Sequence, residues 1–170
     1  DSDPSRGLGD VYKRQEVVDG DNTEYLQLRS YIQQNDLSND ENYNHVINQI
    51  DISNFMEYNI AQIYMDNRDY PGNNVKYWKV PGGKWRWVLY DTDFGFAGQW
   101  WSDWDQNYAY FFDTLDFVLS GNQTTWANPQ WATLFMRKLV QNIGFRNKFI
   151  NRYADEMNTR YLPTLSLIHI

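Results

Sequence analysis

The sequence predicts an α+β fold in which helices flank a single β-hairpin. Apolar residues recur at intervals of three and four between positions 23 and 66, as they do on one face of a helix. Two runs rich in aromatic and β-branched residues, 75–80 and 84–90, flank Pro81-Gly82-Gly83, which is typical of a hairpin turn. Helical spacing returns after position 128. The predicted order is therefore helices, a hairpin with polar loops at one end, and helices again.

Three helices are predicted before the hairpin. The first is expected over residues 23–34. The second is expected from about Asn39 to Ile50, because Ser38-Asn39-Asp40-Glu41 is a capping box that satisfies free backbone N–H groups. The third is expected to begin with Ser53 as its cap and to run to Asp66. The residues expected to face the core are Tyr25, Leu28, Tyr31, Ile32, Tyr43, Val46, Ile47, Ile50, Met56, Ile60, Ile63 and Tyr64.

Alternation and a helix-start signal define the later elements. Trp85, Trp87 and Leu89 occupy every second position of the second strand, so one face of the hairpin should be buried. Asn128-Pro129 places a favoured cap before a proline at the first helical position, which predicts a helix start. Another helix is expected after Gly144, and the two helices should form a hairpin that closes the domain. Their apolar stripes comprise Trp131, Leu134, Phe135, Leu139, Phe145, Phe149, Tyr153 and Met157.

Both ends of the chain resemble translated sequencing-library adaptor. The run Asp10-Val11-Tyr12-Lys13-Arg14-Gln15 can be encoded GAT GTG TAT AAG AGA CAG, whose reverse complement translates as Leu-Ser-Leu-Ile-His-Ile. These are the last residues of the chain, and ordinary flexible tails would not produce such a match. We therefore expect adaptor-derived tails at residues 1–15 and 165–170, and a domain at residues 16–164 that was cut from a longer protein.

Composition excludes several classes of function. The formal net charge of -7 argues against nucleic-acid binding, which normally needs a basic surface. Cysteine is absent, so disulfides, zinc thiolates and cysteine nucleophiles are excluded within the chain. With His169 assigned to adaptor, His45 is the remaining histidine, and its polar surroundings are typical of a solvated side chain. Carboxylates, amides, lysine and arginine must therefore carry any chemistry.

Polar residues are concentrated in the two loops at the open end of the hairpin. The loop before the first strand contains Asp69 and Asn74, and the loop after the second strand contains Asp91 and Asp93. Because an antiparallel pair brings the entering loop close to the leaving loop, we expect these side chains to converge. Three carboxylates and an amide form a hard oxygen site suited to Mg²⁺ or Mn²⁺, and such a site usually shares its ion with phosphate.

The spacing of these residues also matches the requirements of phosphoryl transfer. Arg68-Asp69-Tyr70-Pro71-Gly72-Asn73-Asn74 has the Asp-x4-Asn spacing of a protein-kinase catalytic loop, and Asp93-Phe94-Gly95 matches the kinase metal-binding tripeptide. Phosphoryl transfer needs metal ligands and a separate Asp that accepts the proton of the incoming hydroxyl. Short motifs arise often by chance, so these two alone leave a purely structural role equally open.

A longer set of residues resembles the CotH family of atypical protein kinases, which is named for a spore coat protein and also occurs in secreted or surface proteins of bacteria. The segments that carry the resemblance are Asn54-Phe55-Met56-Glu57-Tyr58, Ala61-Gln62-Ile63-Tyr64, Asn67 to Asn74 and Lys84 to Phe96. The Asn-Pro-x-Trp sequence at Asn128 and the run from Asn147 to Asn158 are also similar to that family. The resemblance covers most of residues 16–164.

The resemblance implies a partial kinase-like fold, mostly its helical C-terminal lobe. It also implies binding of ATP with Mg²⁺ or Mn²⁺ and phosphorylation of Ser or Thr on protein partners such as spore coat or surface proteins. By position, Asp69 would be the catalytic base, and Asn74, or its neighbour Asn73, would help to hold the metal. The metal-binding Asp lies within an Asp-x-Asp pair, in which Asp93 fits the kinase tripeptide and Asp91 is equally available.

The N-terminal lobe of a kinase has no convincing counterpart in the sequence. Kinases use a phosphate-covering loop and a Lys that pairs with a helix Glu, and neither is recognisable before Asp69. We therefore expect these parts to lie upstream of Glu16. The isolated fragment should bind ATP poorly and turn over little, even if its parent protein is active.

Two other functions remain open. Asp91-Thr92-Asp93 is also the Asp-x-Asp motif of metal-dependent glycosyltransferases, although no parallel α/β pattern surrounds it and the spacing from Asp69 to Asn74 stays unexplained. Alternatively, tryptophans could form a platform that binds carbohydrate or a partner protein. The tryptophans of this platform would be Trp78, Trp85, Trp87, Trp100, Trp101 and Trp104. Because Trp85 and Trp87 share one strand face, we expect these two to pack inside.

Overall fold

The computed structural model describes residues 17, 20–67, 69–96, 112–120, 128–162 and 165. Its elements are α1 (Thr23–Gln34), α2 (Asp40–Ile47), α3 (Ile52–Tyr64), β1 (Lys76–Trp78), β2 (Arg86–Val88), α4 (Thr114–Leu119), α5 (Leu134–Leu139) and α6 (Ile143–Met157). The predicted α+β class is confirmed, because helices accompany a two-stranded antiparallel hairpin in the described residues. The predicted tails, apart from Leu165, lie outside these residues, as do Trp100, Trp101 and Trp104.

The first helix has the predicted bounds, whereas the second begins at a different cap. The side-chain oxygen of Asn39 accepts hydrogen bonds from the N–H groups of Glu41 at 2.9 Å and Asn42 at 3.2 Å. The N–H of Ser38 donates instead to the carboxylate of Asp36, in the preceding turn, at 2.9 Å. The predicted capping box is therefore wrong, because Asn is an equally good cap and stands one residue closer to the helix.

The third helix begins earlier than predicted because Asp51 caps it. The Asp51 carboxylate accepts a hydrogen bond from the N–H of Asn54 at 3.1 Å, so Ser53 lies within the first turn and is not the cap. The buried residues of α3 are Phe55, Met56, Tyr58, Asn59, Ile60, Ala61, Gln62 and Ile63. A helix that is buried over most of its circumference lies at the centre of a domain, and α3 therefore supports the elements around it.

The predicted hairpin is confirmed, with Tyr77 of β1 opposite Trp87 of β2. Trp85 and Trp87 are both buried, as predicted. The N–H of Trp87 donates to Asn54 Oδ1 at 2.6 Å, and Asn54 Nδ2 donates to the Trp87 carbonyl at 3.2 Å, so a side chain of α3 pairs with β2. Leu89 is 46% exposed, contrary to prediction, because it lies beyond the end of β2, where the alternation stops.

The predicted helix start at Asn128-Pro129 is wrong. Thr133 occupies the N-cap position of α5, whereas the Asn128 side chain donates a hydrogen bond to the carbonyl of Phe117 in α4. The Asn128 side chain, which the sequence pattern assigns to a helix N-cap, thus makes a tertiary contact instead. The following helix, α6, is capped by Asn142, whose oxygen accepts from the Gly144 N–H at 2.9 Å. The predicted pair of C-terminal helices is confirmed with these revised bounds.

An aromatic cluster joins the inner face of the hairpin to the helices. Tyr25 of α1 stacks on Tyr77 and on Phe135 of α5, with ring centroids 4.0 and 5.7 Å apart. Trp87 packs edge-on against Phe55 of α3 at 4.8 Å. Burial of these rings holds the hairpin, and hence the loops at its open end, against α3. No helix in the described part of the chain has the length and apolarity of a membrane span.

Candidate active site

The loop between α3 and β1 holds Asp69 in one orientation. Asp69 is 4% exposed, and its Oδ2 accepts hydrogen bonds from the Nδ2 atoms of Asn73 and Asn74, each at 3.0 Å. Its Oδ1 is buried and has no hydrogen-bond partner among the described residues. A buried carboxylate oxygen is costly to leave unpaired unless a ligand or a substrate completes it. Asp69 therefore has one oxygen that is fixed by the loop and one buried oxygen that has no partner among the described residues.

A buried network of Tyr58, Gln62, Asn67 and Asp69, which we call the anchoring network, ties this loop to α3. Asn67 Nδ2 donates to Gln62 Oε1 at 2.8 Å, and Asn67 Oδ1 accepts from the Asp69 N–H at 3.1 Å. Gln62 Nε2 donates to the Tyr58 hydroxyl at 3.3 Å. Gln62 and Asn67 are each 1% exposed. Hydrogen bonds shielded from water in this way hold the backbone of Asp69 more firmly than exposed ones would.

Tyr70 anchors the loop on the other side of Asp69. Its hydroxyl donates to Asn59 Oδ1, and Asn59 Nδ2 donates to the carbonyl of Phe55 at 2.7 Å. Burial raises the pKa of Tyr70 well above its usual value, so the hydroxyl remains protonated and continues to donate. The Tyr70–Pro71 peptide bond is cis.

Sequence reasoning did not identify Asn59 and Gln62 as parts of the site. Both are buried in α3, next to the core residues Ile60 and Ile63. A buried amide needs a specific partner, but α3 also contains Ser53, Asn54 and Glu57, so the sequence alone does not single out these two amides. Here that partner is the loop that carries Asp69.

The loop after β2 places Asp91 and Asp93 side by side at the surface. A hydrogen bond to Asp93 raises the pKa of Asp91 most, followed by desolvation and by the negative charges of Asp93 and Asp69. The positive charge of Lys76 acts in the opposite direction. Asp91 has a φ of 51°, in the left-handed region that Asp tolerates better than most residues. Because the charge of Asp69 acts on Asp91, the two loops lie close enough for these carboxyl groups to interact electrostatically.

The end of this second loop packs against the C-terminal end of α3. The Gly95 N–H donates to the Thr92 carbonyl at 3.0 Å, and the Phe96 N–H donates to the Met65 carbonyl at 2.5 Å. A Cβ on Gly95 would lie 3.1 Å from the Met65 carbonyl oxygen, which is tighter than ordinary side-chain contacts, so glycine suits this position. Both site loops are thus attached to one helix.

Replacing Asp93 by Asn is expected to lower the pKa of Asp91. The substitution removes a carboxyl group and a negative charge that both raise that pKa. Carbon NMR of the Asp91 carboxyl group, followed as a function of pH in both proteins, measures the change. Asp116→Asn, at an exposed position of α4, is the control and should leave the pKa of Asp91 unaltered. An unaltered pKa in Asp93→Asn would mean that the two carboxyl groups are not neighbours in solution.

Among the described residues, Asp91 and Asp93 are the neighbouring carboxylates that a divalent ion could use. No group of three or more His, Cys, Asp or Glu side chains is placed to hold an ion together within the residues that the structure describes. The expected meeting of three carboxylates around one ion is therefore not found there. Mg²⁺ commonly takes one or two protein carboxylates and completes its shell with phosphate and water, so Asp91 and Asp93 fit such an ion. Asn74 donates to Asp69 through its nitrogen, which leaves its oxygen as a ligand atom.

A family model described as CotH kinase protein matches residues 2–164 of the chain. The chain belongs to the CotH kinase family. Comparison with curated proteins and with solved structures found no match. The predicted family is thereby confirmed, and membership supports the coarse prediction of a kinase-type protein.

In this CotH kinase chain, the structure brings the predicted site residues together in two pairs. Asp69 is in contact with Asn74, and Asp91 is in contact with Asp93, and the charge of Asp69 reaches Asp91. The roles of these residues in catalysis and metal binding stay predictions. Arg68, which the kinase motif includes, lies outside the described residues.

The tryptophan platform receives little support from the described members of that set. Trp85 and Trp87 are each 7% exposed and pack in the aromatic cluster, as predicted for core residues. Trp78 is 46% exposed on the outer side of the hairpin. A platform needs several exposed rings on one face, and two of the three described rings are committed to the core.

Proposed function

We propose that this CotH kinase chain transfers the γ-phosphoryl group of ATP to a serine or threonine hydroxyl of a protein, with the help of a divalent ion. The hydrogen bonding of the Asp69 carboxylate supports the proposal most directly. Its Oδ2 is fixed by two amides, and its buried Oδ1 has no partner among the described residues. A carboxylate oriented in this way can accept the proton of a hydroxyl placed beside Oδ1.

In the proposed transfer, the bond that forms is matched by a bond that breaks. The substrate hydroxyl oxygen forms a bond to the γ-phosphorus, the bond from that phosphorus to the bridging oxygen breaks, and ADP leaves. The hydroxyl proton passes to Asp69 Oδ1. Because Oδ2 accepts hydrogen bonds from Asn73 and Asn74, the carboxylate cannot rotate without losing both. Its orientation is therefore set before the substrate arrives, which lowers the cost of reaching the reactive geometry.

Asn74, Asp91 and Asp93 would hold Mg²⁺ or Mn²⁺ in this proposal. A bound ion of this kind neutralises negative charge on the phosphate oxygens during transfer. The chain supplies hard oxygen atoms, namely two neighbouring surface carboxylates and one amide oxygen. Asp91 must be deprotonated to act as a ligand, so its raised pKa opposes ion binding at acidic pH.

The proposed substrate is a spore coat or surface protein of a bacterium. This proposal rests on the family name, since CotH kinases are named for the spore coat. Asp91 and Asp93 are exposed, which leaves their carboxyl groups accessible to a large substrate.

Incubation of the chain with γ-labelled ATP, Mg²⁺ or Mn²⁺ and an acceptor protein rich in Ser and Thr tests the proposal. We expect label on the hydroxyl side chains, and loss of that label in Asp69→Ala and Asp93→Ala. Slow turnover is expected of the isolated fragment, so long incubations are needed. Binding of ATP with Mg²⁺, measured by NMR titration, provides a readout that does not depend on turnover.

The same experiment distinguishes the rival functions. Metal-dependent cleavage of a nucleotide sugar would favour a glycosyltransferase, and sugar binding without metal would favour the tryptophan platform. Failure to bind ATP with Mg²⁺, together with no label transfer, would contradict the kinase proposal.

A further inference from the structure

Lys76 lies at the open end of the hairpin, beside both site loops. It is the first residue of β1 and is paired with Val88 of β2. Its Nζ lies 4.0 Å from the centroid of the Tyr90 ring. Tyr90 follows Val88 by two positions, so it lies diagonally across from Lys76 on the same side of the hairpin. Asn74 precedes Lys76 by two positions and Asp91 follows Tyr90, so this lysine and this ring are within two residues of predicted metal ligands along the chain.

The other cations of the hairpin are engaged with groups elsewhere in the fold. Lys79 pairs with Glu24, Arg86 lies 3.5 Å from Asp51, and Lys84 donates to the carbonyl of Ile47 at 2.8 Å. By contrast, Lys76 forms no ion pair with a described carboxylate: its Nζ lies over the neutral Tyr90 ring, and its charge acts on Asp91 only at longer range. Lys76 is also exposed. Its charge is therefore available to an incoming anion.

A nucleotide would meet an excess of negative charge at this site. The charges of Asp69 and Asp93 both act on Asp91, and the chain as a whole carries a net charge of -7. The triphosphate of ATP is itself strongly negative, and one divalent ion offsets only part of the repulsion between like charges. A cation at the edge of the site would offset more of it, and an ammonium group forms strong, charge-assisted hydrogen bonds with phosphate oxygens.

We propose that Lys76 binds a phosphate oxygen of the nucleotide, with the Tyr90 ring holding the ammonium group at the site. This inference rests on the proposed kinase function and adds a nucleotide-binding residue to it. The ring suits this role because a cation–π contact keeps the ammonium group in place while the N–H donors that do not face the ring stay available. A salt bridge to a carboxylate would instead neutralise the positive charge that attracts the phosphate.

Titration of the chain with ATP and Mg²⁺, and separately with inorganic tripolyphosphate and Mg²⁺, tests the inference. NMR is the suitable readout because it measures weak binding. We expect Lys76→Ala to raise the Kd for both ligands by about tenfold, which is the effect of losing roughly one charge-assisted hydrogen bond. Lys76→Gln should show the same loss, and Lys76→Arg, which keeps a cation, should restore most of the affinity.

Lys84→Ala is the matched control for this series. It removes the same charge from the same hairpin, but at the turn end, and should change the Kd by less than about twofold because solvent and salt screen distant surface charges. Equal Kd values for Lys76→Ala and the unaltered chain would overturn the inference and leave the kinase proposal intact. Equal losses in Lys76→Ala and Lys84→Ala would overturn it in the same way. Failure of the unaltered chain to bind ATP with Mg²⁺ would overturn both proposals.

Discussion

Asp69→Asn is expected to slow phosphoryl transfer by about 100-fold or more, because loss of a general base commonly costs a factor of roughly 10²–10⁴. The replacement should leave the loop folded. The amide oxygen of Asn can take the place of Oδ2 and accept the hydrogen bonds from Asn73 and Asn74. The amide nitrogen would then occupy the place of Oδ1, where it cannot accept a proton. Single-turnover transfer of label, compared with urea unfolding of the same proteins, measures the two effects separately.

Asp116→Asn provides a matched control for Asp69→Asn. It makes the same chemical change at an exposed position of α4 and should leave the rate unaltered, with a loss of stability below about 1 kcal/mol because Asp116 lies in the first turn of that helix. Asp69→Ala differs from Asp69→Asn because it also frees the two amides of Asn73 and Asn74, so some loss of stability should accompany its loss of rate. A rate for Asp69→Asn that stays close to that of the unaltered chain would exclude Asp69 as the base.

Asn67→Ala is expected to lower the free energy of unfolding by about 2–6 kcal/mol, since two buried groups would each lose a partner at roughly 1–3 kcal/mol. These groups are the N–H of Asp69, which donates to Asn67 Oδ1, and Gln62 Oε1, which accepts from Asn67 Nδ2. Water cannot easily replace either bond, because Asn67 and Gln62 are each 1% exposed. Urea unfolding followed by circular dichroism measures the loss of stability.

Asn73→Ala is the corresponding control within the same loop. Asn73 is only half-buried, and Asp69 Oδ2 would keep its hydrogen bond from Asn74. The expected loss is therefore about 1 kcal/mol, which is typical of one hydrogen bond. If Asn67→Ala and Asn73→Ala lower stability equally, the anchoring network does not hold the loop in the way described.

Sequence patterns located the helices well but placed several of their ends wrongly. Apolar spacing depends on the local chain alone, and it gave the bounds of α1 correctly. Ser, Asn and Asp are all good caps, and Ser38-Asn39-Asp40 offers all three in succession, so the sequence could not choose among them. At Asn128 the choice depended on a contact with Phe117, which is distant in sequence. Ends set by tertiary contacts of this kind are not visible in local patterns.

Motif spacing identified the loop residues of the site but not the α3 residues that hold those loops. Asp69 and Asn74 were identified together because five positions of one loop separate them, and the structure shows their side chains in contact. Gln62 was missed because a polar residue on a helix is usually solvent-facing, and only the packing around α3 shows that it is buried. Lys76 was missed for a related reason, since its position next to Tyr90 depends on strand register.

Because both loops are attached to α3, the hairpin connects them without setting their relative positions. Asn67 fixes the first loop to that helix, and the Phe96 N–H fixes the second. The turn at Pro81-Gly82-Gly83 lies at the opposite end of the hairpin and carries no part of the site. Residues inserted at this turn would lengthen the hairpin without moving Asp69 relative to Asp91. The turn is therefore the natural place to graft a reporter tag or a reactive label for studies of the intact site.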